Sequence, residues 1–461
     1  MTSERKIAMA RIPQASLFSW KEIEASSDLD RLGLVLSVIP DESLMQTLER
    51  ARGKGRNDYP VRAMWNALLA GVVFQHPSAV ALIRELRRNR ELADRCGFDP
   101  ILGRDGICSE DAFGRFLAQV IRHREAVVAM FEAVVSALLC EIPDMGRTLA
   151  LDSKAIASFG RAVKDEKRQK TPDGRRDLDA NVGVKTYKGT REDGSPWKKV
   201  VSWFGYKLHL VVDSKYEIPL GFSVSRASCS DVVEGRRLVP SLLAAQPEVA
   251  SRARELAADR AYDCGDFNAE LYDRHGIHPV IDARCCWKVE STRPLYPDRA
   301  DTIVYDERGR VLCVCPWSGE VRDMAFMGFE KDRKTLKFRC PAAAYGLDCR
   351  GRERCEKGRG TGTFGRIVRV PLGLDRRIFT PLARHSYAWH DAYKSRTAVE
   401  RTFGRIGNVF GFDHHFIRGQ AKMEARLGLA LLVQVCMALG RIRLGQAERM
   451  RSLVGPLPRA A

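Results

Sequence analysis

Tyr206-Lys-Leu-His-Leu-Val-Val-Asp213 and Ile218-Pro-Leu-Gly-Phe-Ser-Val-Ser225, separated only by Ser214 to Glu217, read as two strands and the turn between them. Leu208, Leu210 and Val212 alternate with Lys207, His209 and Val211, the period-two pattern of a sheet with one well-buried face. Two shorter apolar runs, each ending in an acid, lie on either side: Thr148-Leu-Ala-Leu-Asp152 and Glu255-Leu-Ala-Ala-Asp259. Helical stretches are expected at about 231–243 and 266–275, and a further strand at 277–282. Three strands followed by alternating helices and strands describe an α/β domain on a mixed sheet.

Working outward, the chain changes character near residues 146 and 285, and no fixed-period repeat is visible. Before the first change the pattern is helical. Val61 to Ala70 and Ala79 to Arg88 carry apolar residues at three- and four-residue steps, and a third helix starts at Ser109 as N-cap, sending Phe113, Phe116, Val120 and Ile121 to a core. Arg84, Arg87, Arg88 and Arg90 cluster near one helix end, as in a DNA-binding block of helix-turn-helix type or a bundle with a solvated basic face. Residues 160–194 are polar and basic and read as a mobile loop. The expected organisation is a helical DNA-binding or assembly domain (1–145), a first catalytic part (146–285), a β-rich insertion containing cysteines (286–380), catalytic C-terminal helices (381–445) and a flexible tail (446–461).

With 461 residues, the chain has room for roughly two to four folding units. It carries 76 Lys+Arg against 58 Asp+Glu, a net charge of +18 that favours a polyanionic partner. The apolar stretches 126–139 and 427–439 fall short of the roughly 18–20 residues of a membrane span and read as buried helices, so no membrane partner is expected. The N-terminus has no apolar signal core, and thirteen cysteines, an odd count, argue for reduced thiols or a metal site in the cytoplasm.

Asp152 and Asp259 close their runs, and Glu400 lies on a late helix. Three converging acids can hold two divalent cations about 3.5–4 Å apart, which suits phosphodiester chemistry with Mg²⁺, although an acid at a strand end also serves as a turn or cap residue. The text around them is more specific. Ala150-Leu-Asp-Ser-Lys154, Trp203-Phe-Gly-Tyr-Lys-Leu-His209, Ala258-Asp-Arg-Ala-Tyr-Asp263 and Tyr393-Lys-Ser-Arg-Thr-Ala-Val-Glu400 occur in that order, and the chain from about 55 to 440 resembles the DDE transposases of bacterial insertion sequences. The last segment looks like that family's Tyr-x2-Arg-x3-Glu-x6-Lys signature.

The resemblance implies a ribonuclease H-like α/β fold with Asp152 on the first strand, Asp259 on the fourth and Glu400 on a completing helix. All three would be catalytic ligands of two Mg²⁺, with Mn²⁺ able to substitute. It implies hydrolysis at transposon ends followed by 3′-hydroxyl strand transfer, acting on terminal repeats and target duplex DNA as a homodimer associated with the nucleoid. Tyr393, Arg396 and Glu400 share one helix face, which places Arg396 either on a phosphate or in an ion pair with Glu400. Lys207 and His209 share a strand face and, with Tyr393 and Arg405, are candidate DNA contacts, while Asp213, Asp231, Asp263 and Asp266 are taken as turn or cap residues. The sequence departs from the signature at Gly407, which occupies the lysine position; Arg405 lies about 160° around the helix from it. Two alternatives stay open: a two-metal nuclease without strand transfer, and a catalytically inactive DNA-binding descendant.

Cys313, Cys315, Cys340, Cys349 and Cys355 place five thiols among Pro, Gly and Arg. Four thiolates can close a structural zinc site, with Cys315, Cys340, Cys349 and Cys355 the preferred set and Cys313 spare; free thiols are the alternative. Nearby Arg350, Arg352, Arg354 and Arg359 suit a grip on DNA or a solvated loop. Cys229, Cys264, Cys285 and Cys286 show no interpretable spacing.

Overall fold

The computed structural model describes residues 27–53, 58–99, 105–160, 177–288, 291–298, 302–315, 317–351, 355 and 365–454. Among these residues seven helices come first: Ser27–Val38, Glu42–Arg52, Val61–Val73, Ala79–Arg88, Arg90–Cys96, Glu110–Arg122 and Arg124–Glu141. Their starts follow local chemistry. Ser78, Asn89 and Ser109 accept the backbone N–H groups of Ala81, Leu92 and Ala112, satisfying donors that a helix end leaves free. Phe113, Phe116 and Val120 are buried as expected, whereas Ile121 is only half-buried. Arg84, Arg87, Arg88 and Arg90 are exposed.

The central sheet comprises β1 (Thr148–Ala157), β2 (Asn181–Thr190), β3 (Pro196–Asp213), β4 (Pro219–Arg226), β5 (Glu255–Ala258) and β6 (His278–Ile281). β3 pairs antiparallel with β1, β2 and β4, and β1, β5 and β6 run parallel, so the sheet is mixed. Three expectations are corrected here. β1 does not end at Asp152 but continues to Ala157, because the whole run from Leu149 pairs with β3. Residues 181–190, expected in a loop, form β2; residues 161–176 of that stretch lie outside the described residues. Both faces of β3 are covered near the hairpin, since Lys207 (7% exposed) and His209 (0%) are as buried as Leu208 and Leu210.

The covering helices explain this. Asp231–Ala245 lies over one face, and Arg124–Glu141, Thr397–Gly404 and Gln420–Arg443 over the other. Helix Gln420–Arg443 is long and apolar enough to cross a membrane by length and composition, yet 89% of its most apolar window is buried inside the protein, packed on Arg124–Glu141, Ser27–Val38 and Val61–Val73. One continuous core therefore runs from Leu29 to Leu453, joining the N-terminal helices to the sheet. The expected flexible tail is corrected as far as residue 454. Met450 and Leu453 are buried, Arg31 donates to the Leu453 carbonyl at 2.8 Å, and residues 455–461 lie outside the described residues.

The insertion folds on its own apolar cluster, with Ile303, Tyr305, Leu336, Phe338, Val370 and Phe379 at its centre. It contains one sheet of β7 (Thr292–Pro294), β8 (Ile303–Asp306), β9 (Val311–Val314) and β10 (Val321–Asp323). A second holds β11 (Ala325–Glu330), β12 (Thr335–Arg339) and β13 (Ile367–Pro371). Asp263 ties it to the central domain, accepting Arg284 N at 2.7 Å, Arg377 Nη1 at 3.2 Å and Arg384 Nη2 at 3.3 Å.

Candidate active site

Parallel pairing of β1 with β5 sets Leu151 beside Ala258, so the next residues, Asp152 and Asp259, stand side by side across two strands. Asp259 follows the last residue of β5 and caps a 3-10 turn, accepting Ala261 N at 2.8 Å. Asp152 accepts Ser153 N at 2.7 Å. Glu400 arrives from the other side. Trp389, on helix Tyr387–Tyr393, packs on Ala257 and Val280 of β5 and β6 and stacks on Tyr393 at 4.8 Å, and the chain runs on through Arg396 into Thr397–Gly404.

Arg396 joins the two sides: Nη1 lies 3.3 Å from Asp152 Oδ2 and Nη2 lies 2.6 Å from Glu400 Oε1. The expected ion pair with Glu400 is thus present, and it extends to Asp152. Burial, then the Asp259 charge, pushes the Asp152 carboxyl up to about 7, against the pull of the Ser153 N–H, Arg396 and Lys185. Burial also raises Asp259, opposed by the Ala261 N–H and reinforced by Asp231. Crowded, partly desolvated carboxylates are destabilised as anions and gain most from a bound cation. Such a donor set fits a hard divalent ion. Among the described residues no three His, Cys, Asp or Glu side chains stand at metal-holding separation, and Arg396 bridges Asp152 and Glu400.

Three expected DNA contacts are corrected. Asp152 pairs opposite Leu210 and Ser153 opposite His209, so Lys207 and His209 face away from Asp152. Beneath Asp231–Ala245, Lys207 Nζ donates to Cys229 O at 2.8 Å and Asp231 Oδ1 at 3.0 Å, and His209 Nε2 lies 2.8 Å from Ser225 Oγ. Burial pushes His209 down to about 4, consistent with a neutral packing ring. Arg405 pairs with Glu217, which is also bound by Arg401 and by Arg451 at 3.0 Å. Tyr393 is half-buried against Trp389 and Arg396.

Other residues near the acids carry no isolated motif. Asp231 accepts Ser153 Oγ at 2.8 Å, so it does more than start a helix. Asp213 accepts Tyr216 N and Gly146 N as the turn residue expected. Lys154, two residues along β1 from Asp152 and on the same face, lies 2.9 Å from Asp413 Oδ1. Tyr262 is wholly buried within electrostatic reach of Asp152, Asp231 and Asp259.

In the insertion, Cys313, Cys315, Cys340, Cys349 and Cys355 line one cavity of about 70 Å³ together with Arg322 and Arg350. Burial, with Cys355, Cys340 and Cys349 beside it, pushes the Cys313 thiol up to about 11. Hydrogen bonding from Ser318 instead holds the Cys315 thiol below its usual value. Arg352, Arg354 and Arg359 lie outside the described residues.

The Transposase DDE domain family matches residues 148–325 and 347–436, well over half of the chain, and the chain belongs to that family. A second family, described as Transposase domain (DUF772), matches residues 21–119. None of the curated proteins matches the chain significantly. The protein is therefore a DDE transposase, an enzyme acting on DNA, with its helical N-terminal region part of the same inheritance.

Proposed function

We propose that this transposase hydrolyses one strand at each transposon end and directs the freed 3′-hydroxyl at a phosphodiester of target DNA, with Asp152, Asp259 and Glu400 as its catalytic acids. The observation that carries this reading is the side-by-side placement of Asp152 and Asp259, with Arg396 reaching both Asp152 and Glu400. The strand order β4-β3-β1-β5-β6, antiparallel and then parallel, supports a ribonuclease H-like fold.

The three acids would hold two Mg²⁺, or Mn²⁺ in their place, which supply the charge that activates the attacking oxygen and stabilises the leaving one. The chain's own contribution is positioning and electrostatics. Arg396 neutralises Asp152 and Glu400 in the free protein, and its planar fork is suited to a DNA phosphate once those carboxylates are otherwise neutralised. Trp389 and Tyr393 fix the helix that aims it. Two ends must meet for joining, so the working form is a homodimer on DNA in the cytoplasm. A structural zinc on Cys315, Cys340, Cys349 and Cys355 rests on the thiol-lined cavity alone, since among the described residues no three of these side chains stand at metal-holding separation; metal analysis of the purified protein and of Cys340→Ser tests it.

The central experiment combines labelled duplexes of the element's own ends with a supercoiled target, for wild type and Asp259→Ala, in Mg²⁺ and in EDTA. Cleaved and joined products with wild type in Mg²⁺ alone are expected. Cleavage without joining would make the protein a nuclease, and end binding without cleavage by folded wild type would overturn the catalytic reading.

A further inference from the structure

Beyond Gly205 the β2–β3 pair leaves the body of the sheet as a two-stranded ribbon, from Asn181↔Gly205 to Thr190↔Pro196. Ten residue pairs at about 3.4 Å per residue make it roughly 30 Å long, close to one turn of B-form duplex. Among the described residues, β2 packs substantially only on β3. Its surface is unusual for an exposed element: Val184 is 59% exposed, Val200 55% and Tyr187 49%. Such a patch marks an interaction surface.

The ribbon is stiffened from within. Trp203 stands opposite Gly183 and Trp197 opposite Gly189, and a Cβ at either glycine would lie 2.4 Å from the facing indole, so each ring lies across its partner's backbone. The strand segments 181–190 and 196–205 contain four lysines and no acid, and the turn between them adds Arg191, Glu192 and Asp193, so the ribbon as a whole is net positive. Among the described residues no acidic side chain forms an ion pair with Lys185, Lys198 or Lys199. Lys185, Tyr187, Lys199 and Val201 share one face of the ribbon, and Val184, Lys198 and Val200 the other, so both faces carry lysine beside exposed apolar side chains. At the ribbon's root, Lys185 comes within electrostatic reach of Asp152 and Asp259.

We propose that this ribbon is a duplex-binding arm, laid along the DNA leading into the site, with Lys198 and Lys199 on phosphates and Tyr187 and the valines against the groove wall. The inference rests on the DNA-cutting reading above and names the element that grips the substrate. Three observations select duplex DNA as the occupant: the strands carry only positive charge and the ribbon is net positive, the length matches a helical turn, and a two-stranded ribbon fits the major groove. The neighbouring segment 161–176, Arg-Ala-Val-Lys-Asp-Glu-Lys-Arg-Gln-Lys-Thr-Pro-Asp-Gly-Arg-Arg, offers only Ala162 and Val163 to an apolar face and is a poor cover for it.

The test measures the salt dependence of binding to a random-sequence duplex of about three helical turns. It compares wild type, Lys198→Ala/Lys199→Ala and Val184→Ser, with thermal unfolding to show that each is folded and sedimentation to report its mass. Loss of two phosphate contacts is expected to flatten the slope of log K against log salt by about 2, with weaker binding at low salt. A double variant that is folded and keeps the wild-type slope overturns the arm while leaving the DNA reading intact. Val184→Ser converting a dimer to a monomer at unchanged slope also overturns it, assigning the face to a second copy. Failure of wild type to bind any duplex would instead bring down the DNA reading and the arm with it.

Discussion

A Cβ placed on Gly407 would lie 2.2 Å from Asp413 Oδ2, so the Asp413 carboxylate occupies the space that a side chain at 407 would need. Asp413 is in turn bound by Lys154, which reaches across from β1. The cation beside position 407 is thus Lys154, supplied by a different element. Lys154→Ala is therefore expected to slow end cleavage by about tenfold or more, the loss of roughly one charge-assisted contact. Gly407→Lys in that background should recover part of the rate, because Asp413 is 41% exposed and free to swing toward the new ammonium. Single-turnover cleavage of the four combinations checks this, and no loss in Lys154→Ala would reject it.

The raised Asp152 carboxyl makes the metal response pH-dependent. Its folded value of about 7 exceeds an unfolded value near 3.9, so the metal-free fold loses stability as pH rises between the two, by on the order of a few kcal/mol once above 7. Mg²⁺ held as proposed would bind the deprotonated form and restore that loss. The rise in Tm on adding Mg²⁺ should be larger at about pH 8 than at about pH 5.5. Asp152→Asn should raise the metal-free Tm at the higher pH and abolish most of the Mg²⁺ response. Calorimetry with and without Mg²⁺ decides, and a pH-independent response would contradict the assignment.

Arg396 competes with added cations for Asp152 and Glu400. Arg396→Ala is expected to tighten Mg²⁺ binding severalfold, by isothermal titration, while lowering cleavage by about 10²-fold through loss of the phosphate contact. A purely structural arginine would move both quantities in the same unfavourable direction.

Glu217 gathers Arg401, Arg405 and Arg451 around a carboxylate only 4% exposed. Burial alone would raise its carboxyl, but Arg405 and Arg401 outweigh it and hold it below the ordinary value. Glu217→Gln should cost about 1–3 kcal/mol in urea unfolding, because it removes the charged partner of Arg405, which is 18% exposed, and of the half-exposed Arg401 and Arg451. In wild type the same contribution is present above the ordinary carboxylate range and is lost as pH falls through the depressed value.

The parts legible in the sequence were those whose signal is local. Helices Val61–Val73, Ala79–Arg88 and Glu110–Arg122 carry apolar periodicity and caps within a few residues, and the hairpin carries period-two alternation and a turn. β2 was missed because a ribbon with no buried face leaves no apolar alternation to read, and its Gly and Lys residues imitate a loop. The acids were legible as strand-end and helix residues. Lys207 and His209 were misplaced because which face they share with Asp152 depends on cross-strand register, a long-range property. Arg405 and Arg451 find Glu217 from 188 and 234 residues away, a distance no local pattern spans.

The continuous core from Leu29 to Leu453 has a consequence for biosynthesis. The first helices leave the ribosome early and pack partly on one another, yet Ser27–Val38, Val61–Val73 and Arg124–Glu141 also bury a face against Gln420–Arg443, made almost last. Until then that face has no permanent cover, so completion of the core waits on the C-terminus. A copy of the gene cut short by a frameshift before residue 420 is expected to leave that face exposed, giving a chain that the cell's proteases clear more readily than the intact enzyme.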